Sequence, residues 1–183
     1  MRLFTAVIPS TDAIEHLDAF LDPRRDAAEF RWTRPEQLHI TLAFMADAAS
    51  HRVDEYVDRL ATSLEGLPAA ELRLAGAVAF PNVAEARVLA TGVTAPETLT
   101  TAAVRARNAA VVSGVEVDGQ RFRPHVTVAR TGGRFVEMTN WVRLLETYEG
   151  PAWTFDSVAV IASHLGEGPR RSPRYETLAE VVL

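Results

Sequence analysis

Two short segments of this chain carry side chains able to do chemistry, and they match. Leu38-His39-Ile40-Thr41-Leu42-Ala43 is echoed 86 residues later by Pro124-His125-Val126-Thr127-Val128-Ala129. Each reads His-x-Thr-x-Ala with aliphatic x. On a strand, successive side chains point to opposite faces. Each segment therefore presents an imidazole and a hydroxyl together, while Ile40 and Leu42, or Val126 and Val128, turn toward a core. An imidazole titrates near pH 6.5, so of two histidines one can take a proton while the other gives one. Hydrolysis of a strained cyclic phosphodiester asks for that pair: a base for the attacking water and an acid for the departing ribose oxygen. Hydroxyls and an arginine can hold the non-bridging oxygens. Arg130 is the first arginine after the second motif, five residues beyond His125. Strict alternation points it away from His125, so it must lie at the strand end or beyond a bulge to take part. Arg121 and Arg123 share the parity of His125 and are alternatives. The competing reading is a pair of solvated strand faces with threonine present for its β propensity.

Composition removes most other chemistries. The 183 residues contain no cysteine, which excludes a disulfide scaffold, a thiolate metal site and a cysteine nucleophile. All 19 basic residues are arginine, which excludes a Schiff-base lysine and a Walker-type phosphate loop. No His-Glu-x-x-His or Gly-x-Ser-x-Gly is present, and Gly166-Glu167-Gly168 lacks the third glycine of a dinucleotide fingerprint. No metal or other cofactor is implied. The net charge of −5 argues against non-specific gripping of long nucleic acid, so any such contact must be local. The apolar run at the N-terminus ends at Pro9 and is too short for a signal peptide or a membrane span, making the cytoplasm the expected location. His16 and His51 read as helix-surface residues and His164 as a loop residue.

The elements that must position the two motifs follow from patterning. Strands are expected at Leu3 to Ile8, Phe30 to Thr33, Leu38 to Phe44, Glu71 to Phe80, Arg87 to Val93, Phe122 to Arg130, Trp153 to Ser163 and Tyr175 to Leu183. Helices are expected from Asp12 as N-cap, from Ser50 as cap to Gly66, from a Thr94–Glu97 capping box to about Ser113, and over Val136 to Tyr148. Strands and helices mix without steady βαβ alternation, which favours an α+β fold with mostly antiparallel pairing. No linker marks a boundary, so residues 1–183 read as one domain.

The paired motifs, the opening Arg2-Leu3-Phe4, Phe80-Pro81 with Arg87-Val88-Leu89, the run Phe122 to Arg130, and the closing Ser163-His164-Leu165 with Tyr175 to Leu178 resemble the 2H phosphoesterase superfamily. Within it they look like the RNA 2′,3′-cyclic phosphodiesterase (LigT-like) branch, over nearly the whole chain. The resemblance implies two pseudo-symmetric lobes, each with an antiparallel sheet and outer helices, facing a central cleft. It implies opening of an RNA-terminal 2′,3′-cyclic phosphate to a 2′-phosphate without a metal. His39 would be the proton donor and His125 the proton acceptor, Thr41 and Thr127 would hold the phosphate, and Arg130 would assist. RNA ends or nucleotides would be the partners, with no membrane, and one cleft asks only for a monomer. A non-catalytic binding module, or a related enzyme acting on another cyclic phosphate or joining RNA ends, are the alternatives. The sequence departs from the family where a glycine often follows the first motif strand: here it reads Phe44-Met45-Ala46-Asp47. The loop Arg170-Arg171-x-x-Arg174 is expected to form a basic rim.

Overall fold

A computed structural model describes residues 1–94 and 96–183. Among the described residues nine strands form one antiparallel sheet: β1 Leu3–Val7, β2 Arg31–Trp32, β3 Ile40–Met45, β4 Ala70–Pro81, β5 Ala86–Thr94, β6 His125–Arg130, β7 Glu149–Phe155, β8 Ser157–His164 and β9 Arg174–Val182. Their order is β7-β4-β5-β6-β3-β1-β8-β9, with β2 also pairing β6. The sheet divides naturally into two four-stranded halves. They meet where β6 and β3 touch, at the single pair Ile40↔Val126. The motif strands are thus the inner strand of each half, as a pseudo-twofold arrangement requires.

Among the same residues four α-helices cover the sheet: α1 Thr11–Leu21, α2 Val53–Leu64, α3 Glu97–Val112 and α4 Thr139–Leu145. They do not all stay with their own half. Helix α3 packs on β3 and on α2, which also reaches β9, whereas α1 packs on β7 and α4 on β4. The apolar stripe of α2, Val53, Tyr56, Leu60 and Leu64, is buried at helical spacing. Tyr56 is fully buried, and its hydroxyl shares a 2.5 Å hydrogen bond with the buried Thr5 hydroxyl on β1. Burial pushes its pKa up to about 12. Tyr56→Ala is expected to cost about 3–5 kcal/mol, lowering the melting temperature by roughly 6–20 °C in a thermal melt. Tyr56→Phe should cost less, about 1–3 kcal/mol, because it only orphans the Thr5 hydroxyl.

Several boundaries differ from the patterning, each for a local reason. Helix α1 starts one residue before Asp12, because Ser10 is the cap and its Oγ accepts from Ala13 N at 3.2 Å. Ser50 opens a 3₁₀ turn, Ser50–Arg52, rather than capping α2. Thr94 ends β5, and α3 follows Pro96 with no side-chain cap. Strand β6 begins at His125, not Phe122; Pro124 immediately before it has no N–H to give a ladder. Helix α4 covers only Thr139–Leu145, since Val136 is drawn into a bridge with Ala86. The run Trp153 to Ser163 is not one strand: it breaks at Asp156 into β7 and β8, which lie in opposite halves of the sheet. Among the described residues no helix is long and apolar enough to cross a membrane.

Candidate functional site

The seam between the halves builds the site. Ile40 and Val126 face each other across β3 and β6 and are wholly buried. His39 and Thr41 flank Ile40 in the chain, and His125 and Thr127 flank Val126. Alternation turns all four away from the core, and all four line a cleft of about 1070 Å³. Both histidines and both threonines thus share one cleft at the seam, with His125 close enough to His39 to act on its charge.

Arg130 also lines the cleft, and a bulge brings it there. Along β5, Leu89 pairs with Ala129 but Ala90 pairs with Thr127, leaving Val128 as the extra residue. Val128 and Ala129 are consequently both buried, and the side chains beyond them change face. The first motif carries the same device. Thr5 pairs with Ala43 and Ala6 with Thr41, leaving Leu42 over, and Phe44 then reaches the cleft. The internal repeat thus includes its irregularity, with Phe44 standing where the second half has Arg130. The guanidinium of Arg2 lies 4.5 Å from the centre of the Phe44 ring.

Each imidazole is fixed in the same way. His39 Nδ1 lies 2.7 Å from the Gln37 carbonyl oxygen, and His125 Nδ1 lies 2.7 Å from that of Arg123. A carbonyl can only accept, so Nδ1 carries the proton and Nε2 is left to act in the cleft. Each ring also rests on a phenylalanine. Phe4 stacks on His39 with ring centres 4.7 Å apart, and Phe80 lies 4.7 Å from His125 at a tilt. Tyr175 meets His39 edge-on at 5.6 Å. Opposite His125 on β5 is Gly92, where a Cβ would stand only 2.7 Å from the Ala75 carbonyl oxygen.

Burial pushes the pKa of both histidines below 6.5. For His39 the Gln37 carbonyl opposes this, while Arg130 and His125 add to it. For His125 the Arg123 carbonyl opposes it, and Arg130 and Arg123 add to it. In the free cleft both rings therefore favour the neutral form near pH 7. A phosphate between them would supply the missing negative charge and raise both. Among the described residues, no cluster of three or more His, Cys, Asp or Glu is placed to hold a metal.

Other candidates fall elsewhere. Arg121 and Arg123 are not among the lining residues, and the Arg123 guanidinium sits over the Phe80 ring instead. His164 ends β8 rather than occupying a loop; its Nε2 is 2.8 Å from Glu176, outside the cleft lining. Of the basic loop, Arg170 and Arg171 line the cleft, but Arg174 turns to Glu167 and Glu176. The supports Gln37, Phe4, Phe80 and Tyr175 carry no signal in the motif spacing. Phe4, Phe80 and Tyr175 fall in segments that carry the family resemblance, but the resemblance gave none of them a role at the rings.

A family model described as LigT like phosphoesterase matches residues 7–90. A Methanothermobacter thermautotrophicus protein named RNA 2′,3′-cyclic phosphodiesterase is 29% identical over 134 residues, spanning 73% of this chain and 72% of its own length. A Geobacillus stearothermophilus protein of the same name is 27% identical over 178 residues, which is 96% of this chain but only 55% of that relative. The crystal structure of E. coli LigT complexed with 3′-AMP superposes with a TM-score of 0.80 at 21% identity, covering 100% of this chain and 97% of that one. Over residues 7–90 the chain is thus similar to the LigT-like phosphoesterases, its relatives carry the name RNA 2′,3′-cyclic phosphodiesterase, and it shares the fold of the solved structure, in agreement with the resemblance its paired motifs suggest.

Proposed function

We propose that the cleft hydrolyses an RNA-terminal 2′,3′-cyclic phosphate to a 2′-phosphate by metal-free acid/base catalysis. The observation that carries this reading is the seam at Ile40 and Val126, whose flanking His–Thr pairs line one cleft, with no partner for either Nε2 among the described residues. The names of the curated relatives point to the same reaction, and the 3′-AMP complex of E. coli LigT shows that a protein of this fold accepts a ribose phosphate.

In this mechanism His125 Nε2 takes a proton from water as its oxygen attacks phosphorus. The P–O3′ bond breaks, and His39, protonated at Nε2, gives its proton to O3′. Thr41 and Thr127 donate to the non-bridging oxygens, and Arg130 balances their charge. The product is a 2′-phosphomonoester with a free 3′ hydroxyl. His125 leaves the cycle protonated and His39 neutral, and exchange with solvent resets both.

The pH dependence follows from the depressed imidazole pKa values. Turnover needs one ring neutral and the other protonated. In the free protein both titrate below 6.5, so the falling limb of kcat/KM is expected to begin on the acid side of pH 6.5. In the complex the phosphate charge raises both, so the kcat optimum should lie at higher pH than that of kcat/KM. Steady-state rates measured from pH 4.5 to 8.5 check this, and superimposable profiles would contradict it.

The direct test is incubation with an oligonucleotide ending in a 2′,3′-cyclic phosphate, with a chelator present. Phosphorus NMR should show a 2′-monoester. Loss of activity with chelator, or a 3′-phosphate product, would overturn the mechanism. Tight binding without turnover would make the chain a binding module.

A further inference from the structure

One tether joins the loop between β8 and β9 to the first motif. That loop carries Pro169, Arg170, Arg171, Ser172 and Pro173 into the cleft lining. It closes on itself: Gly168 N donates to the Ser172 carbonyl at 2.8 Å, Ser172 N to that of Pro169 at 3.0 Å, and Arg174 Nη2 to Glu167 at 2.7 Å. Arg170 and Arg171 are consecutive non-glycine residues with φ of 53° and 61°, a left-handed conformation that persists only where the surroundings hold it. Among the described residues, the hydrogen bonds and ion pairs of residues 165–173 stay within 164–176, with one exception. Gln37 Nε2 donates to the Pro173 carbonyl at 2.7 Å.

Gln37 has a second partner in the site. Its backbone carbonyl accepts from His39 Nδ1 at 2.7 Å. Its own N–H donates to the Arg34 carbonyl at 2.9 Å, closing the 3₁₀ turn Pro35–Gln37. The carbonyl that orients the ring is thus held by a turn on one side and by the loop on the other. The second half anchors its ring differently. Arg123, also two residues before its histidine, gives its carbonyl to His125 Nδ1. Its guanidinium lies over Phe80, 5.3 Å from the ring centre, and Phe80 packs on His125. His125 is therefore braced within its own half. The carbonyl that holds His39 is tied through Gln37 to a residue 136 positions along the chain.

Resting on the proposed reaction, we infer that Gln37 is a positioning residue whose two hydrogen bonds couple the cleft loop to the proton donor. Displacing the loop loosens the His39 ring and leaves His125 in place. The Nδ1–H bond to the Gln37 carbonyl favours the charged ring, the form that donates. Loosening it makes the ring a stronger acid and admits the other neutral tautomer, with hydrogen on Nε2. Arg130 and His125 on β6 and the Tyr175 phenol on β9 also face the ring, and the variants below leave them unaltered. A loop that merely swung out would take Arg170 and Arg171 with it. Less positive charge would then make His39 a weaker acid, so the direction of the change separates the two cases.

Gln37→Met keeps the length of the side chain and removes the donor. Heteronuclear NMR of the histidine rings reads both titrations and both tautomers without substrate. His39 should show an acid dissociation constant about threefold larger and a mixed neutral tautomer, while His125 stays unchanged. On a 2′,3′-cyclic mononucleotide kcat should fall about tenfold and KM should change by no more than about threefold. The falling limb of kcat/KM should move to lower pH. Gly168→Ala tests the coupling from the loop, with Gln37 intact. A Cβ there would stand 2.7 Å from Ser172 Oγ and 2.9 Å from the Pro173 carbonyl oxygen. The loop must shift, and His39 should respond in the same direction. Combining the two changes should do little more than either alone. An unmoved or weaker His39 acid in either variant, an equal change at His125, or additive losses would overturn the inference. So would a raised KM at constant kcat, which would make Gln37 a support of the loop alone. Shifted His39 signals in a protein that hydrolyses nothing would uphold the tether and overturn the proposed reaction instead.

Discussion

Replacing His39 or His125 by alanine is expected to lower kcat on a 2′,3′-cyclic nucleotide by about 10²–10⁴-fold, the usual contribution of a positioned acid or base. The fold should survive. Both rings lie on the cleft side of the seam, and the pairing that joins the halves belongs to Ile40 and Val126. An activated diester separates the two roles. With a nitrophenolate leaving group no acid is needed, so His39→Ala should regain most of its lost rate, whereas His125→Ala should not. Rescue of both variants, or of His125→Ala alone, would reverse or remove the assigned roles. Circular dichroism of each variant guards against a folding artefact.

The second large effect is expected at Arg130. Arg130→Ala should lower kcat/KM by about 10²–10³-fold, as loss of one charge-stabilising donor typically does. It should do so without loss of stability. Arg130 is exposed at the end of β6, faces Arg31 across the ladder and has no carboxylate partner among the described residues. Removing it relieves a like-charge pair, so the melting temperature should stay level or rise. Arg130→Lys should recover only part of the activity, because an ammonium cannot make the two parallel contacts of a guanidinium. A destabilised Arg130→Ala protein with normal kcat/KM would show a structural role instead.

What the sequence revealed and what it hid divide along one physical line. The two His-x-Thr pairs were legible because period-two alternation is a property of each strand alone. The use of Arg130 was legible only as a condition, since a bulge depends on the register of a neighbouring strand. The structure meets that condition at Val128, and repeats it at Leu42. The break at Asp156 was invisible because Trp153 to Ser163 is apolar enough to be one buried strand. Only the topology sends β7 to one half and β8 to the other. The ring supports Phe4 and Phe80 arise from packing between distant segments, which no local pattern encodes.

The crossed helices have a consequence for how the protein comes into being. Helix α3 belongs by chain order to the segment carrying β4 through β7, yet it packs on β3; α1 follows β1 yet packs on β7. Neither half can finish its own core before the other exists. Calorimetry should therefore show one cooperative transition. Excised residues 70–155 should not hold their sheet, and during refolding enzymatic activity should return together with the last burial of tryptophan, with no catalytically competent half appearing first.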